Sequence, residues 1–434
     1  MAHIVLAQVP GSGRELEDYV AGLFQAAGYF VERGIHERAF TEVLELDIVA
    51  TRYDGGTPVS ILVETKGGHW GFPDLFKVAG WMRYLGIEHG GFFIARDNTP
   101  RDVPRVHDKV APLGISLVDL ADFRDSHRRF EAGGFGSIHD VVLPDLWRYS
   151  FWVERALLDR LRALKRGSPR MVGPAAALGY HDLVHDHVFF VKDRSERLAL
   201  LYKAYRDHPK LSLSLAGELA GAPFEPSAPP PHSAILAEAL REGKHPPVQA
   251  SFYVEHRGRL SILKAAIDLL CHNDEAPAAV LPATFREGLR ILRTRPSFRR
   301  YALLWQVFLW GFGGFYLADR ADEELGWLSE QTGVPFHEVR TALHAFDDLF
   351  PMQGSSWLVP LRGTRIVAAK MVPTAFRGIG AMQRLKRHGA PHYRDLGYRD
   401  TTSRQLVDWH NSTVGLLSTK PPAPSPPVLA SAAQ

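Results

Sequence analysis

The chain has 434 residues, 45% apolar and 23% charged, a balance that excludes an intrinsically disordered protein and predicts two or three globular domains. A single cysteine, Cys271, excludes an internal disulfide framework and fits the reducing cytoplasm. The net charge of +3 hides an asymmetry: residues 1–125 hold 12 Lys and Arg against 18 Asp and Glu, near −6, and the remainder holds 39 against 30, near +9. The opening MAHIVLAQVP lacks a basic start, and its apolar stretch is too short for a secretory signal.

In chain order, residues 13–32 open with a predicted helix. Its apolar positions Leu16, Tyr19, Val20, Leu23 and Phe24 follow helical spacing, and Gly28 ends it. The runs 46–53 (LDIVATRY) and 58–66 (PVSILVETK) predict two strands joined at Gly55-Gly56, which suits a two-residue turn with positive φ at both positions. Pairing Asp54 with Thr57 and counting outward sets Asp47 opposite Glu64. Strand alternation puts Lys66 on the face of Glu64. Two carboxylates and an amine then converge at one end of the hairpin. Such a pair can anchor Mg²⁺, which prefers oxygen ligands and is commonly held by one or two carboxylates plus substrate phosphates. Lys66 is placed to orient or deprotonate an attacking water. Beyond it, a helix over 72–86, a strand over 90–95 and a helix–strand pair over 103–120 complete a mixed sheet flanked by helices.

With Gly13 and Glu17 on the first helix, Asp47 on the following strand, and Glu64-x-Lys66 on the next, residues 13 to about 120 resemble the PD-(D/E)xK nuclease superfamily, in its Mrr-like and resolvase-like branches. The resemblance implies a restriction-endonuclease-like α/β sandwich, Mg²⁺ dependence with Mn²⁺ as a substitute, and hydrolysis of phosphodiester bonds. It implies Asp47, Glu64 and Thr65 as metal contacts, with Glu17 as a further acidic member. Mrr-like enzymes often carry glutamine where Glu64 stands, so the chain leans toward the resolvase-like or RecB-like version. Some relatives place a glutamine on the helix after the lysine, where this sequence offers Lys77.

C-terminal to this part, the glycine-bearing stretch 131–140 is the expected linker, and 151–165 is amphipathic and helical. His181, His185 and His187 lack a metal-site pattern and are expected on a polar helix face. The proline-rich segment 221–232 is expected to be extended. Arg286, Arg290 and Arg293 recur at helical spacing and offer a phosphate-facing stripe, with Arg295, Arg299 and Arg300 close by. Residues 301–318 carry no formal charge, but Gln306 and three glycines favour a buried helix and a glycine-rich turn over a membrane span. Helices over 321–333 and 335–350, then strands over 355–360 and 365–372, suggest a winged helix-turn-helix (321–372). In that reading His337, Arg340 and His344 are its nucleic-acid contacts. The tail 416–434 is Pro-rich and expected to be disordered.

The predicted organisation is therefore a nuclease-like domain over 1–130, a helical domain or connector over 141–220, and a mainly helical region over 235–415. The expected function is a Mg²⁺-dependent endonuclease acting on DNA, with RNA left open, in restriction or phage defence. DNA repair is the competing biology, and a non-catalytic nuclease-fold binding or scaffolding protein is the alternative from another class. A homodimer presenting two sites, or a protein partner at the C-terminal region, would complete the assembly; membrane contact is not expected.

Overall fold

The computed structural model describes residues 13–37, 44–95, 103–139, 143–208, 246–276, 280–311, 314–318, 321–351, 357–360 and 366–369, with isolated positions besides. The proline-rich segment 221–232 and the tail 416–434 lie outside the described residues, as does most of 361–372.

The first helix, α1 (Arg14–Ala26), forms as its periodicity predicts and buries Leu16, Tyr19, Val20, Leu23 and Phe24. Gly28, at φ 85°, follows its end and lets the chain turn into β1 (Phe30–Glu37). Strands β2 (Leu44–Arg52) and β3 (Val59–Lys66) come next, then α2 (Phe72–Leu85), β4 (His89–Ile94), α3 (Val103–Val110) and β5 (Ile115–Asp119). The strands make one mixed sheet in the order β1-β2-β3-β4-β5. The first three pair antiparallel, and β3-β4 and β4-β5 pair parallel across the helical crossovers α2 and α3. This is the expected mixed sheet flanked by helices.

Alternation along the strands builds a core on each face. Ile61 and Val63 pack with α1, whereas Leu62 packs with Leu75 and Val78 of α2. The α1 face is covered further by α5 (Leu143–Gly167), and its core continues without a break into the C-terminal half. Between the two lies α4 (Ser126–Ala132) and the glycine-bearing stretch predicted as a linker. Its Phe135 is buried against Phe24, Phe93 and Phe130, and its carbonyl accepts a hydrogen bond from Tyr29 at 2.9 Å.

Beyond α5 come α6 (Val172–His185), α7 (Arg194–Asp207), α8 (Pro246–Cys271) and α9 (Ala283–Arg293). The uncharged stretch then forms α10 (Tyr301–Gln306), continued by a π-helical turn over Val307–Gly311, with every side chain buried. Gly314 follows at φ 65° and leads into β6 (Phe315–Leu317). Among the described residues no helix is long and apolar enough to cross a membrane.

The buried polar member of that stretch has a defined task. Gln306 donates to the Val31 carbonyl at 2.7 Å and accepts from the Val31 amide at 2.9 Å. β1 is an edge strand, so its outward N–H and C=O groups need partners. The Gln306 amide takes the place of a neighbouring strand at that point and ties the helical half to the sheet.

The last described elements are α11 (Ala321–Thr332), α12 (Phe336–Leu343), α13 (Ala345–Leu349), β7 (Leu358–Pro360) and β8 (Ile366–Ala369). The helix predicted over 335–350 is two helices, interrupted at His344, whose ring sits 3.1 Å from Asp347. β7 and β8 pair antiparallel, and β6 joins β8 as a third strand.

Candidate active site

The register of the hairpin is the one counted from the sequence: Ile48 faces Val63 and Arg52 faces Val59, which puts Asp47 next in line beside Glu64. The turn itself differs from expectation. Neither Gly55 nor Gly56 has positive φ, and the ladder closes at Arg52–Val59, leaving a six-residue connection over 53–58. Pro58 has no N–H to extend the ladder. Tyr53 turns into the core and donates to Asp268 at 3.2 Å, and Asp54 is drawn aside by Arg52 and Arg300. These tertiary contacts override the tight turn without shifting the strands.

On the other side of β2, the ladder with β1 keeps its register from Arg33–Ile48 to Ile35–Leu46 but passes over Gly34 and, opposite it, Asp47. Gly34 has φ 58°, a left-handed conformation that side-chain-bearing residues rarely adopt. Leu46 and Ile48, two positions apart, accordingly pack into the cores on opposite faces of the sheet. The kink takes Asp47 out of regular alternation, and its carboxylate meets the end of β3. There Thr65 donates to Asp47 Oδ2 twice, from its backbone N–H at 2.8 Å and its hydroxyl at 3.0 Å.

Glu64 is buried and shares the α2 face with Lys66. The Lys66 ammonium lies 2.9 Å from Glu64 Oε1 and 3.3 Å from Asp74 Oδ1, on the first turn of α2. Asp74 also caps that helix by accepting from the Gly71 amide at 2.9 Å. Lys77, one turn further on, brings a second ammonium to within 3.4 Å of Glu64 Oε1. One oxygen of Glu64 therefore faces two ammonium groups.

The acidic side is crowded. Burial, then the charges of Glu64 and Glu17, push the Asp47 carboxyl up to about 7, against the partial relief of the Thr65 hydrogen bonds. Burial, then Glu45 and Asp18, also raise Glu17 above its ordinary range, with Arg33 and Arg155 opposing. Burial pulls the Lys66 ammonium down, but its hydrogen bond to Glu64 and the charges of Glu64 and Asp74 leave it above its ordinary value. At neutral pH Lys66 is therefore a proton donor beside Asp47, whose carboxyl resists full ionisation.

Behind this cluster lies a buried ionic network. Arg33 bridges Asp18 on α1 and Glu154 on α5, and Arg155 also pairs with Asp18. Tyr253 of α8 donates to Glu154. The helix carrying Glu17 is thus fixed by charges from both halves of the chain.

Among the described residues no three His, Cys, Asp or Glu side chains are grouped so as to hold a metal ion by themselves. The donor set is a carboxylate pair, Asp47 and Glu64, with Glu17 acting on it electrostatically. That chemistry fits Mg²⁺ or Mn²⁺, because a hard cation held by two carboxylates keeps positions for water and phosphate oxygens. Thr65, implied as a metal contact, acts here through Asp47 by orienting its carboxylate.

The other singled-out residues lie elsewhere. Arg286, Arg290 and Arg293 share the exposed face of α9, but Arg290 is paired with Glu287 and Arg293 donates to Asn273. Arg340 and His337 are exposed on α12 beside acidic neighbours, Asp322 at 3.6 Å and Glu338 at 3.8 Å. His181 and His185 are not on a polar face: both are buried, and their rings stack at 4.1 Å. His185 donates to the His181 carbonyl and accepts from Arg257, and burial, then His181 and Arg257, hold its pKa well below the ordinary value. The stacked pair is a core contact, with His185 held neutral, and of the three only His187 is exposed. A surface cavity of about 450 Å³ opens at the opposite end of β3, lined by Tyr29, Arg52, His89 and Phe135, away from the carboxylates.

Comparison of the chain with protein-family models, with curated proteins and with solved structures finds no match.

Proposed function

We propose that the chain is a divalent-metal-dependent nuclease of the PD-(D/E)xK type, with DNA as its substrate. The observation that carries this reading is the Glu64–Lys66 ion pair at one end of a mixed sheet, next to Asp47, whose carboxyl is raised to about 7 by burial and then by the charges of Glu64 and Glu17. Crowded carboxylates with raised pKa values store unfavourable charge that a divalent cation would relieve.

In the proposed reaction, water attacks the phosphorus in line with the leaving oxygen. A new O–P bond forms as the bridging O–P bond breaks, the attacking water's proton passing to solvent and the leaving oxygen taking a proton from solvent. Asp47 and Glu64 would hold Mg²⁺ or Mn²⁺, which supplies charge neutralisation at the phosphoryl oxygens and a more acidic water. Thr65 fixes the Asp47 carboxylate, and Asp74 and Glu64 fix the Lys66 ammonium. Because Lys66 keeps its proton at neutral pH, its role is to position the water or donate to a phosphate oxygen rather than to act as a base. Lys77, on the same Glu64 oxygen as Lys66, is placed to take up charge there.

The helices α11 and α12 with the β7–β8 pair are read as winged-helix-like, and the basic C-terminal part as support for a polyanion that the acidic nuclease-like part would otherwise repel. Restriction or phage defence is the biological setting we favour, by analogy with the family. A second reading has its own support: Lys66 and Lys77 on Glu64 are also what a purely structural ion cluster would present, in a protein that binds nucleic acid without cutting it. Incubation of plasmid, linear duplex, single-stranded DNA and RNA with wild type, Asp47→Ala and Lys66→Ala in Mg²⁺ separates the two. Cleavage by wild type alone supports the nuclease; equal cutting, or none by any protein, removes it.

A further inference from the structure

The helix that completes the site also carries an unusual outer face. Leu75, Val78, Trp81 and Met82 bury one side of α2, yet Phe72, Phe76 and Tyr84 stand 42%, 62% and 45% exposed on the remainder. Isolated exposed aromatics are ordinary; three on one helix, with cations beside them, are a different matter. Lys109 of α3 lies 5.7 Å from the centre of the Phe72 ring, and Lys192, from the turn after α6, lies 5.0 Å from that of Tyr84. Arg83 is exposed next to Tyr84. The only acid of the helix, Asp74, is engaged with Lys66 and the Gly71 amide and so does not neutralise this face.

We infer that the outer face of α2 is a track for an unpaired nucleic-acid strand leading to the carboxylate site. This rests on the nuclease reading for its destination. The chemistry is complementary in both parts. An aromatic ring stacks on any base, so recognition is independent of sequence, and ammonium groups beside the rings meet the phosphates between successive bases. A duplex cannot use such a surface, because its base faces are already stacked on each other. An apolar protein partner would bury Lys109, Lys192 and Arg83 without acids to pair with them, at a desolvation cost that a polyanion does not incur. Phe72 and Tyr84 are twelve positions apart, about 18 Å along the helix axis, which is length enough for a strand rather than a single nucleotide. Lys77 on the same helix reaches Glu64, so the track and the site share one rigid element.

The test is fluorescence anisotropy of the full chain with labelled oligothymidylate, oligouridylate and a blunt DNA duplex, in EDTA so that nothing is cut. Replacing Phe72 or Phe76 by Ala should each weaken single-strand binding at least about fivefold, and the double variant more than about tenfold, since stacked bases contribute on that scale. Phe76→Trp should bind at least as tightly as wild type, and Lys192→Ala should flatten the salt dependence. Duplex affinity and thermal unfolding should stay unchanged, because the rings are exposed. Failure of the wild type to bind either strand, a double variant within twofold of wild type, or a parallel loss of duplex binding overturns the inference. Cleavage in Mg²⁺ is scored separately: a protein that binds strands through these rings but cuts nothing loses the nuclease reading alone.

Discussion

Replacing Asp47 with asparagine should make the metal-free protein more stable at mildly alkaline pH. The substituted side chain retains an oxygen to accept both Thr65 hydrogen bonds, yet carries no charge toward Glu64 and Glu17. In the native chain, burial and those neighbours raise the Asp47 pKa from 3.8 to about 7. A folded-state pKa above the unfolded one contributes stability that is complete below about pH 4 and disappears as pH rises through about 7. A rise of that size corresponds to about 4 kcal/mol, and allowing for partial solvent access and a weaker neutral hydrogen bond, we expect about 2–4 kcal/mol at pH 8. Urea denaturation of wild type and Asp47→Asn in EDTA from pH 4 to 8 measures it. The two should be nearly equal at pH 4 and diverge steadily above pH 5, with the variant more stable. Saturating Mg²⁺ at about a hundred times its dissociation constant should then stabilise wild type by about 2.7 kcal/mol and leave the variant unmoved. Parallel stability curves across the pH range, or a less stable variant at pH 8, would refute the electrostatic account of this site.

Lys66→Ala should lower cleavage by about a hundredfold or more while the fold persists, a range set by groups that position or protonate reacting atoms; activity within threefold of wild type contradicts its role. Gln306→Leu should cost about 2–4 kcal/mol, because the Val31 amide and carbonyl lose their partners while buried, and hydrogen exchange at Val31 should accelerate. Arg33→Leu should destabilise by about 3–5 kcal/mol by leaving Asp18 and Glu154 short of countercharge, which chemical denaturation reads directly.

Much of the site was legible because strand pairing is arithmetic. Once two apolar runs flank a turn, register sets Asp47 opposite Glu64 and alternation puts Lys66 on the face of Glu64, whereas the break in alternation at Asp47 lies outside that arithmetic. The turn conformation was not legible, because Tyr53 and Asp54 are captured by Asp268 and Arg300, far away in sequence. Nor was the kink at Gly34, where a lone glycine in a strand-like run gives no hint of which neighbour it serves. Lys77 and Asp74 escaped as partners of Glu64 and Lys66 because the helix phase that brings them to the sheet depends on the crossover packing. In the helical half, the helix that Gln306 lies on is buried as expected, but the Gln306 bond to the sheet edge is a tertiary fact. The histidine pair was misjudged for a related reason: i, i+4 spacing identifies a face without saying whether that face meets water or Arg257.

The most direct measurement is anomalous diffraction from crystals soaked in Mn²⁺. A nuclease of the kind proposed should show one peak bridged by the carboxylates of Asp47 and Glu64, lost in Glu64→Ala. If the soaked crystals instead leave Lys66 and Lys77 closed on Glu64 with no density between the two strands, those side chains form a salt bridge and nothing more.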